Sequence, residues 1–374
     1  MTAGVLDVIL AESWYGGSHR QWADGLVSAS RHRIRLVTHV DLNWRWRMRG
    51  GSVTLAEGVR AAVAADGWPD ILLVSGLTDV ASLVGLIRPP ESTRVLTYLH
   101  ENQLVYPPGS RGLDLDMAFT NWRSVVASDE VWFNSDYHRD SFFAALPSLF
   151  DRTPDHDHRH LADTVFERSR VMPVGVAVAG LVAADRSPTE AAPLVLWNQR
   201  WEHDKDPATA LDTLIQLAAD GVGFRVALAG SGAGAEATRF EQAAVELGER
   251  VVVFGALERA DYLALLTRSD VVISTALHEF FGVAVVEAMA AGAVPVLPRR
   301  LSYPELVGVE FFEASTHPEG GFGARLAEVL ADLAGARAAT AGLRESMTRF
   351  DWSVVGTDYD DALVLAHCSS PRSL

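Results

Sequence analysis

Short apolar runs alternate with stretches of helical periodicity along nearly the whole chain of 374 residues. This alternation predicts parallel strands joined by helices, because two parallel strands in one sheet need a long connection between them. The pattern occurs twice, and the chain is longer than the roughly 250–300 residues at which a single core stops growing. We therefore expect an α/β protein with two Rossmann-like, doubly wound parallel-sheet domains in tandem.

The first half contains six apolar runs of strand length with helical stretches between them. The predicted strands are 5–10, 34–38, 71–75, 94–99, 130–134 and 171–174, and the predicted helices are 18–30, 53–65, 78–87, 117–128 and 136–146. Residues 1–176 are therefore predicted to form the first domain. The following stretch, 177–192, is rich in Ala, Gly, Ser and Pro, which is typical of an interdomain linker.

The same rhythm begins again after the linker and predicts a second domain, 193–350. Its predicted strands are 193–198, 224–229, 251–254, 271–274, 294–297 and 310–313, and its predicted helices are 206–220, 234–247, 259–268, 282–291 and 320–334. Segment 351–374 is predicted to be a helix that packs back on the first domain, followed by a short tail. Ligands of doubly wound sheets bind at the carboxyl ends of the strands, so we expect the two domains to face a central cleft.

The composition excludes several classes of protein. A formal net charge of −16 argues against broad, nonspecific nucleic-acid binding, which needs a positive field, although the start of the chain is locally basic. No apolar run reaches the roughly 18 residues of a membrane span, and no signal-peptide pattern is present. The single cysteine, Cys368, makes disulfides and zinc clusters unexpected. We expect a cytoplasmic protein.

Lys205 is the only lysine among 32 basic side chains. An ammonium is a compact point charge and a guanidinium is a planar fork, so the two are not interchangeable at a crowded anion site. Lys205 follows Arg200 by five residues, in the loop after the first predicted strand of the second domain. This position favours an anion-binding role, whereas a compositional bias toward arginine would leave one lysine anywhere on the surface.

Glu279 and Glu287 are separated by seven residues across a predicted helix start at Gly282 and Val283. The free N–H groups and the positive end of a helix at this point favour a phosphate. The two carboxylates could then accept hydrogen bonds from hydroxyls of a sugar nucleotide. A solvated loop glutamate and a helix-surface glutamate would show the same spacing. However, Glu287 lies among apolar neighbours, where an unpaired carboxylate is costly.

The first domain has its own candidate ligand site at the ends of its strands. Gly16 and Gly17 follow the first predicted strand, where they allow close approach of a ligand or form a simple tight turn. His100 follows another strand and would be a core histidine in the simplest interpretation. Its polar neighbours Asn102 and Gln103 instead favour the cleft.

The stretch from Trp44 to Arg49 alternates aromatic residues with arginines. In a strand, Trp44 and Trp46 would face one side, and Arg45 and Arg47 the other. Unpaired bases stack on aromatic rings while arginines take phosphates, so the pattern suits an RNA loop or end. A membrane surface or a protein partner would use the same chemistry.

Three further motifs resemble cofactor-binding or metal-binding patterns but have simpler structural explanations. The loop at Gly230 fits a dinucleotide-binding pattern, but the acidic residue expected about 20 positions later is absent, so a nicotinamide cofactor is not expected. Asp114 and Asp116 form a D-x-D sequence directly before a predicted helix, where aspartate is a common cap. We predict capping and no metal requirement. The His-rich segment 151–159 is predicted to be a solvated loop.

Together these motifs resemble the retaining GT-B glycosyltransferases of family 4. That family has an E-x7-E signature in its second domain, preceded by an arginine and a lysine that hold the donor pyrophosphate. Glu279, Glu287, Arg200 and Lys205 match those positions. Residues 14–22, 44–49 and 100–107 narrow the resemblance to the tRNA-queuosine mannosyltransferase branch. The resemblance implies the GT-B fold, with two Rossmann-like domains.

The resemblance also implies a reaction and a set of roles. The implied reaction moves mannose from GDP-mannose, the nucleotide-sugar donor, to queuosine in the anticodon of tRNA-Asp, with no metal, cofactor or protein partner. The implied catalytic residues are His100, Arg200, Lys205 and Glu279; the donor-binding residues are Gly16, Gly17, Gly230, Phe281, Gly282, Val283 and Glu287; and the acceptor-binding residues are His19, Trp44, Arg45, Trp46, Arg47, Asn102 and Gln103.

Two other functions remain open. A GT-B hexosyltransferase could use a GDP- or UDP-sugar and act on a lipid or a small metabolite, which the acidic composition suits. A regulator could bind a sugar nucleotide without turning it over. The combination of one arginine, one lysine and two glutamates makes the regulator the weaker alternative.

Overall fold

The computed structural model describes residues 4–106, 114–153, 155–186 and 192–369. The chain divides into two compact units, one formed by Met1–Val176 with Trp352–Leu374 and the other by Ala177–Asp351. Each unit contains a six-stranded sheet in which all the strand pairs are parallel. The predicted fold class, two doubly wound parallel-sheet domains, is confirmed.

The first sheet has the strand order β2-β1-β3-β4-β5-β6. Its strands are β1 (Asp7–Tyr15), β2 (Arg33–Val40), β3 (Ile71–Ser75), β4 (Arg94–Leu99), β5 (Glu130–Phe133) and β6 (Ser169–Val171). Its helices are α1 (Gly17–Ala29), α2 (Trp44–Trp46), α3 (Ser52–Asp66), α4 (Val80–Ile87), α5 (Leu115–Ala127), α6 (Asp136–Phe150) and α7 (Arg159–Glu167). The strand order reverses between β1 and β3, and ligands of doubly wound sheets bind at such a point.

The second sheet has the strand order β12-β11-β10-β7-β8-β9 and reverses between β10 and β7. In chain order its elements are α8 (Ala179–Ala183), β7 (Leu194–Trp197), α9 (Pro207–Ala219), β8 (Arg225–Ala229), α10 (Gly234–Leu247), β9 (Val251–Gly255), α11 (Arg259–Arg268), β10 (Val271–Ile273), α12 (Val283–Ala290), β11 (Val294–Pro298), α13 (Tyr303–Ser315), β12 (Thr316–His317), α14 (Phe322–Ala331), α15 (Leu333–Ala339) and α16 (Leu343–Ser346). A final helix, α17 (Trp352–Cys368), returns to the first unit.

The central strands are buried along their whole length, as β3 shows with five consecutive buried residues. A strand that is covered on both faces appears in the sequence as a continuous apolar run, which is why the sequence predicts these strands well.

The starts of helices also follow from local sequence. Asp114 accepts a hydrogen bond from the backbone N–H of Met117 and caps α5, so the capping prediction is confirmed.

Two predictions about elements need correction. The predicted strand 310–313 lies inside α13, and the sixth strand of the second sheet is β12. A pair of apolar residues between two glutamates does not distinguish a strand from a helix, and here Phe311 packs inward as part of a helical turn. The predicted linker 177–192 contains α8. The backbone N–H groups of Val178, directly before α8, and of Ala179, its first residue, donate to Asp351. Residues 187–191 lie outside the described part of the chain.

The helix α17 belongs to the core of the first unit. Tyr359 of this helix is fully buried and accepts a hydrogen bond from the indole N–H of Trp22 in α1 at 3.0 Å. The hydroxyl of Tyr359 itself donates to the carbonyl of Pro173 at 3.1 Å.

Within the described residues, we find no helix that combines the length and the apolar character needed to cross a bilayer.

Candidate functional site

The loops that follow β7 and β10 are bonded to each other at the strand reversal of the second sheet. The backbone N–H groups of Leu277 and His278 both donate to the carbonyl of Asp204, at 2.9 and 3.2 Å. The hydroxyl of Thr275 donates to the carbonyls of Lys205 and Asp206. These bonds hold the segment around Lys205 against the segment that leads to α12.

Lys205 is buried and satisfies its ammonium entirely within this pair of loops. Its Nζ donates to the carbonyl of His278 at 2.8 Å and lies 3.2 Å from Glu279 Oε2 and 3.1 Å from Asp204 Oδ2. Burial works to lower the pKa of Lys205, but the charges of Glu279 and Asp204 outweigh it and raise that pKa above its ordinary value. The side chain is therefore a fixed positive charge at neutral pH.

Glu279 shapes the turn that begins α12. Its Oε1 accepts hydrogen bonds from the backbone N–H groups of Phe280 and Phe281, at 3.2 and 3.3 Å. Gly282 then takes a φ of 101°, a conformation that favours glycine, and its carbonyl accepts the first helical bonds of α12. The helix starts at Val283 as predicted, and the N–H groups of Val283 and Ala284 precede the first helical bonds, which Val285 and Val286 donate to Gly282.

Glu287 lies within α12 with a side chain that is only 4% exposed. Arg259 of α11 approaches its Oε1 at 2.7 Å, and the hydroxyl of Tyr262 donates to its Oε2 at 3.1 Å. Asn198, which follows β7, donates to Tyr262 and to the carbonyl of Ala284. Burial and the charge of Glu287 raise the pKa of Tyr262 well above its ordinary value, so this hydroxyl remains a donor.

Two further predicted residues of the second unit, Arg200 and Gly230, lie in neighbouring loops. The Arg200 side chain is 59% exposed, with Glu202 at 2.9 Å and Asp204 at 3.9 Å. Gly230 has a φ of 154°, and a Cβ there would lie 2.3 Å from the carbonyl oxygen of Gln199. Gly230 is therefore required for packing between the loops after β7 and β8, whatever its part in binding.

The imidazole of His278 and the hydroxyl of Tyr303, both beside Lys205, are neutral at pH 7. Burial, followed by the charge of Lys205, lowers the pKa of His278 to about 4. Burial, followed by the charge of Glu279, raises the pKa of Tyr303 to about 12. The Tyr303 hydroxyl lies 2.6 Å from the hydroxyl of Ser274, at the end of β10. The charge of this region is consequently set by lysine, arginine and carboxylates.

In the first unit, the predicted residues His19 and His100 lie together beside a glutamate that the sequence analysis did not select. His19 Nδ1 is 3.2 Å from Oε2 of Glu12, and His100 Nε2 is 3.8 Å from the same oxygen. The two imidazole rings are 3.9 Å apart between centroids. Burial, followed by the charges of His19 and His138, lowers the pKa of His100 well below its ordinary value.

Gly16 and Gly17 form the turn between β1 and α1. Gly16 is extended and precedes the helix, and a Cβ on it would collide with the side chain of Asp41. Gly17 has a φ of 49° and starts α1. The structure of this turn therefore explains why glycine occupies both positions. Their role in donor binding stays a prediction.

The Trp44–Arg49 stretch is helical, so the arrangement of sides that a strand would give does not occur. Trp44 starts α2, and the chain continues as a π-helical turn over Arg47–Gly51. Trp44 and Met48 are four residues apart and pack together against Leu77 and Met117, which is the contact that a helix provides. Trp46 is 62% exposed, so an aromatic surface is present although the alternation of sides is not.

The three arginines of this stretch make different contacts. Arg45 lies over the ring of Trp44, with 5.0 Å from its guanidinium carbon to the ring centroid. Arg47 donates to the carbonyl of Val40 at 3.3 Å. Arg49 pairs with Asp114 and Asp116, which explains the D-x-D sequence as an ion-pair partner as well as a cap.

Asn102 and Gln103 are buried and organise their own loop. Oδ1 of Asn102 accepts from the backbone N–H groups of Leu104 and Val105, and the backbone N–H of Gln103 donates to Asn121. Nδ2 of Asn102 is buried without a hydrogen-bond partner within the described residues. The predicted contact of Asn102 and Gln103 with an acceptor stays a prediction.

Sequence reasoning missed Glu12, Asn198, Arg259 and Tyr262. Glu12 and Asn198 had a usable signal, because a polar side chain stands there in or directly after an apolar strand of a predicted parallel sheet. Arg259 and Tyr262 had no such signal, since they look like ordinary residues of an amphipathic helix. Only the packing of α11 against α12 shows that both contact Glu287.

The chain shares its fold with solved structures of two enzymes. The chain superposes on sucrose-phosphate synthase from Thermosynechococcus elongatus with a TM-score of 0.74 at 18% identity, over 97% of this chain and 100% of that chain. It superposes on the catalytic domain of starch synthase IV from Arabidopsis thaliana with a TM-score of 0.73 at 14% identity, over 98% and 100% of the two chains. At these identities, the likeness establishes the GT-B fold.

Sequence comparison establishes the activity class and the family. Residues 184–331 match the family of glycosyl transferases group 1, so this protein is a glycosyltransferase of the GT-B class. Residues 7–176 match the family described as tRNA-queuosine alpha-mannosyltransferase N-terminal. The tRNA-queuosine alpha-mannosyltransferase of Drosophila melanogaster is 33% identical over 311 residues, which cover 80% of this chain and 81% of that protein. The chain belongs to the tRNA-queuosine alpha-mannosyltransferase family.

Proposed function

We propose that this enzyme transfers mannose from GDP-mannose to queuosine in the anticodon of tRNA-Asp, with retention of configuration. The observation that carries the proposal is the 33% identity, over 80% of the chain, to the Drosophila melanogaster relative, whose name states a mannosyl transfer to tRNA queuosine. The family match over residues 7–176 carries the same description. A tRNA acceptor also supports a cytoplasmic location.

The cluster around α12 supports the donor half of the reaction. Lys205, Arg200 and the N–H groups at the start of α12 supply positive charge for the pyrophosphate. Charge on the leaving group grows in the transition state, so fixed positive groups there lower the barrier. In this proposal Glu287 binds ribose hydroxyls and Glu279 binds sugar hydroxyls. Departure of the pyrophosphate then requires neither a protein nucleophile nor a metal.

The surface around α2 supports the acceptor half. Trp46 is exposed and Arg45 lies on the neighbouring Trp44 ring, so an aromatic face and a positive charge stand side by side. Unpaired bases of an RNA loop stack on such faces, and the arginine attracts the phosphates. We propose that this surface contacts the tRNA, while the overall negative charge limits binding to other nucleic acids.

A donor and acceptor panel tests the proposal. The enzyme is incubated with GDP-mannose, UDP-glucose or UDP-galactose and with tRNA-Asp that carries queuosine, and the nucleosides are then analysed by mass spectrometry. We expect a hexose increment on queuosine with GDP-mannose alone. The matched control is the same tRNA with guanosine in place of queuosine, which should stay unmodified. An increment from a UDP-sugar, or no increment at all, would contradict the proposal.

A further inference from the structure

Arg259 is the first residue of α11 and follows the loop after β9. Its Nη2 lies 2.7 Å from Oε1 of Glu287, and its guanidinium carbon lies 5.5 Å from the ring centroid of Tyr262. The Arg259 side chain is 45% exposed, whereas that of Glu287 is only 4% exposed. A guanidinium has five N–H donors, so Arg259 contacts a buried carboxylate and still offers donors to a ligand.

The two oxygens of the Glu287 carboxylate have different partners. Oε2 accepts from the hydroxyl of Tyr262 at 3.1 Å, and this hydroxyl in turn accepts from Nδ2 of Asn198 at 3.0 Å. Oε1 is buried without a hydrogen-bond partner within the described residues, although Arg259 is close to it. Arg259 is therefore held there by charge and not by a directed bond. A hydroxyl can bond to Oε1 while the guanidinium turns toward another group of the same ligand.

The roles assigned to the neighbouring residues leave the nucleobase for Arg259. In the proposed function Glu287 binds ribose hydroxyls, and the base is bonded to that same ribose. The pyrophosphate and the sugar are assigned to Lys205 and Glu279, which lie in the loops after β7 and β10. Arg259 stands instead beside the carboxyl end of β9, and ligands of doubly wound sheets bind outside the carboxyl ends of the strands. The part of the donor nearest to Arg259 is then the base.

The chemistry of a guanidinium favours guanine over the other bases. O6 and N7 of guanine are two acceptors side by side, and the planar fork of an arginine donates to both at once. Adenine carries an amino donor where guanine has O6, so one of the two bonds is lost. Uracil has the O4 acceptor with a C–H group beside it. Only guanine satisfies both donors of the fork.

We propose that Arg259 donates two hydrogen bonds to O6 and N7 of the guanine base and thereby selects a GDP-sugar as the donor. The inference rests on the proposed function, because it takes Glu287 as the ribose ligand and GDP-mannose as the donor. Arg259 acts on the base and not on the reacting atoms, so it determines specificity rather than the rate of bond breaking. A bidentate pair of this kind contributes about 5–150-fold in discrimination between bases.

The experiment measures the dissociation constants of GDP, 7-deaza-GDP and UDP by titration calorimetry on the full chain, without sugar or tRNA. In 7-deaza-GDP a C–H group replaces N7, so one of the two bonds to Arg259 is lost. We expect the wild type to bind GDP about 10-fold more tightly than 7-deaza-GDP. Arg259→Ala should bind these two nucleotides equally. Arg259→Lys keeps a positive charge beside Glu287 but lacks the fork, so it should bind UDP like the wild type and GDP at least about 5-fold less tightly.

Arg239→Lys is the matched control, because Arg239 is similarly exposed, at 40%, and pairs with Asp212 of α9. It should keep the wild-type affinities for all three nucleotides, and thermal unfolding checks that each variant folds like the wild type.

The inference is overturned if the wild type binds GDP and 7-deaza-GDP equally. It is also overturned if Arg259→Ala weakens the binding of all three nucleotides by the same factor, as a role limited to holding Glu287 would. Either result, from an enzyme that mannosylates queuosine, leaves the proposed function intact. A wild type that binds UDP more tightly than GDP would contradict the proposed donor as well.

Discussion

A buried ammonium between two carboxylates distinguishes Lys205 from the basic side chains at the surface. Arg200, the other residue expected to face the pyrophosphate, is 59% exposed, whereas the Lys205 side chain is 9% exposed. Both should contribute to catalysis through their charge. Only Lys205 should also contribute to stability, because its removal leaves Asp204 and Glu279 without their shared partner.

We expect Lys205→Ala to lower the rate of mannosyl transfer by about 100–1000-fold, as loss of one transition-state donor does. The same variant should lose about 3–5 kcal/mol of unfolding free energy, the usual cost of breaking a buried ion pair. Arg200→Ala is the matched comparison and should lose activity while keeping wild-type stability. Steady-state kinetics and urea unfolding measure the two quantities. Wild-type activity of Lys205→Ala would refute the pyrophosphate role.

The titration of His278 should make the free energy of unfolding depend on pH in a way that can be assigned to this one residue. Its pKa is about 4 in the folded protein, with burial as the largest cause and Lys205 next, against about 6.5 when unfolded. Between these values the unfolded chain binds the proton and the folded chain does not, so stability falls as the pH is lowered from 6.5 to 4. At pH 5 the expected loss is about 2 kcal/mol.

The measurement is urea unfolding at pH 7 and pH 5 for the wild type and His278→Gln. The variant lacks the titrating group, so its stability should fall by about 2 kcal/mol less than that of the wild type. His203→Gln, which removes an exposed histidine from the same loop region, should behave like the wild type. Equal pH dependence in the wild type and His278→Gln would show that the imidazole is not held neutral.

At the scale of elements, the helical turn of α2 determines which aromatic residue can meet an acceptor. Trp44 is used for packing against Leu77 and Met117, and Trp46 points away with 62% of its surface exposed. A strand would have placed both indoles on one face. The turn therefore separates a structural tryptophan from one that is free to stack on a base.

We expect Trp46→Ala to weaken tRNA binding by about 5–100-fold, since base stacking on an aromatic side chain contributes about 1–3 kcal/mol. Trp68→Ala is the control, because Trp68 is also exposed, at 38%, but lies before β3, outside this surface. Affinities are measured by fluorescence anisotropy at two salt concentrations. Equal affinities of the two variants would remove Trp46 from the acceptor surface.

At the scale of the whole chain, the first unit is completed by a helix from the other end of the sequence. The indole of Trp352, at the start of α17, lies against Gly25 of α1 and Gly175. A Cβ added at Gly25 would stand 2.1 Å from this indole, and one added at Gly175 would stand 2.4 Å from it. Because Gly25 and Gly175 have no side chains, the indole of Trp352 has room to pack against them, and this packing holds the C-terminal helix α17 in place.

We expect Gly25→Ala to lower the stability by about 1–3 kcal/mol, the usual cost of overpacking, because Trp352 has to move. Gly85→Ala is a matched helix substitution in α4, where a Cβ meets no heavy atom within 4 Å. It should raise the stability by about 0.5–1 kcal/mol, since alanine is the better helix former. Urea midpoints measure both changes. A stabilised Gly25→Ala would exclude this tight docking.

Much of the second unit could be predicted from local sequence. The turn at Gly282 and the start of α12 follow from a glycine that ends a loop and from the apolar residues that follow it. The pairing of Lys205 with Glu279 was not predicted. It depends on bonds between the loops after β7 and β10, which are about 70 residues apart in the chain.

The sequence by itself determined two parallel-sheet units, because strands buried on both faces leave continuous apolar runs that local periodicity reveals. It also indicated Lys205, Glu279 and Glu287 as functional candidates. Only the tertiary structure decided their partners: Arg259 and Tyr262 for Glu287, and Glu12 between two histidines. A side chain's partners depend on which distant strands and helices become neighbours, and that information does not reside in any short segment.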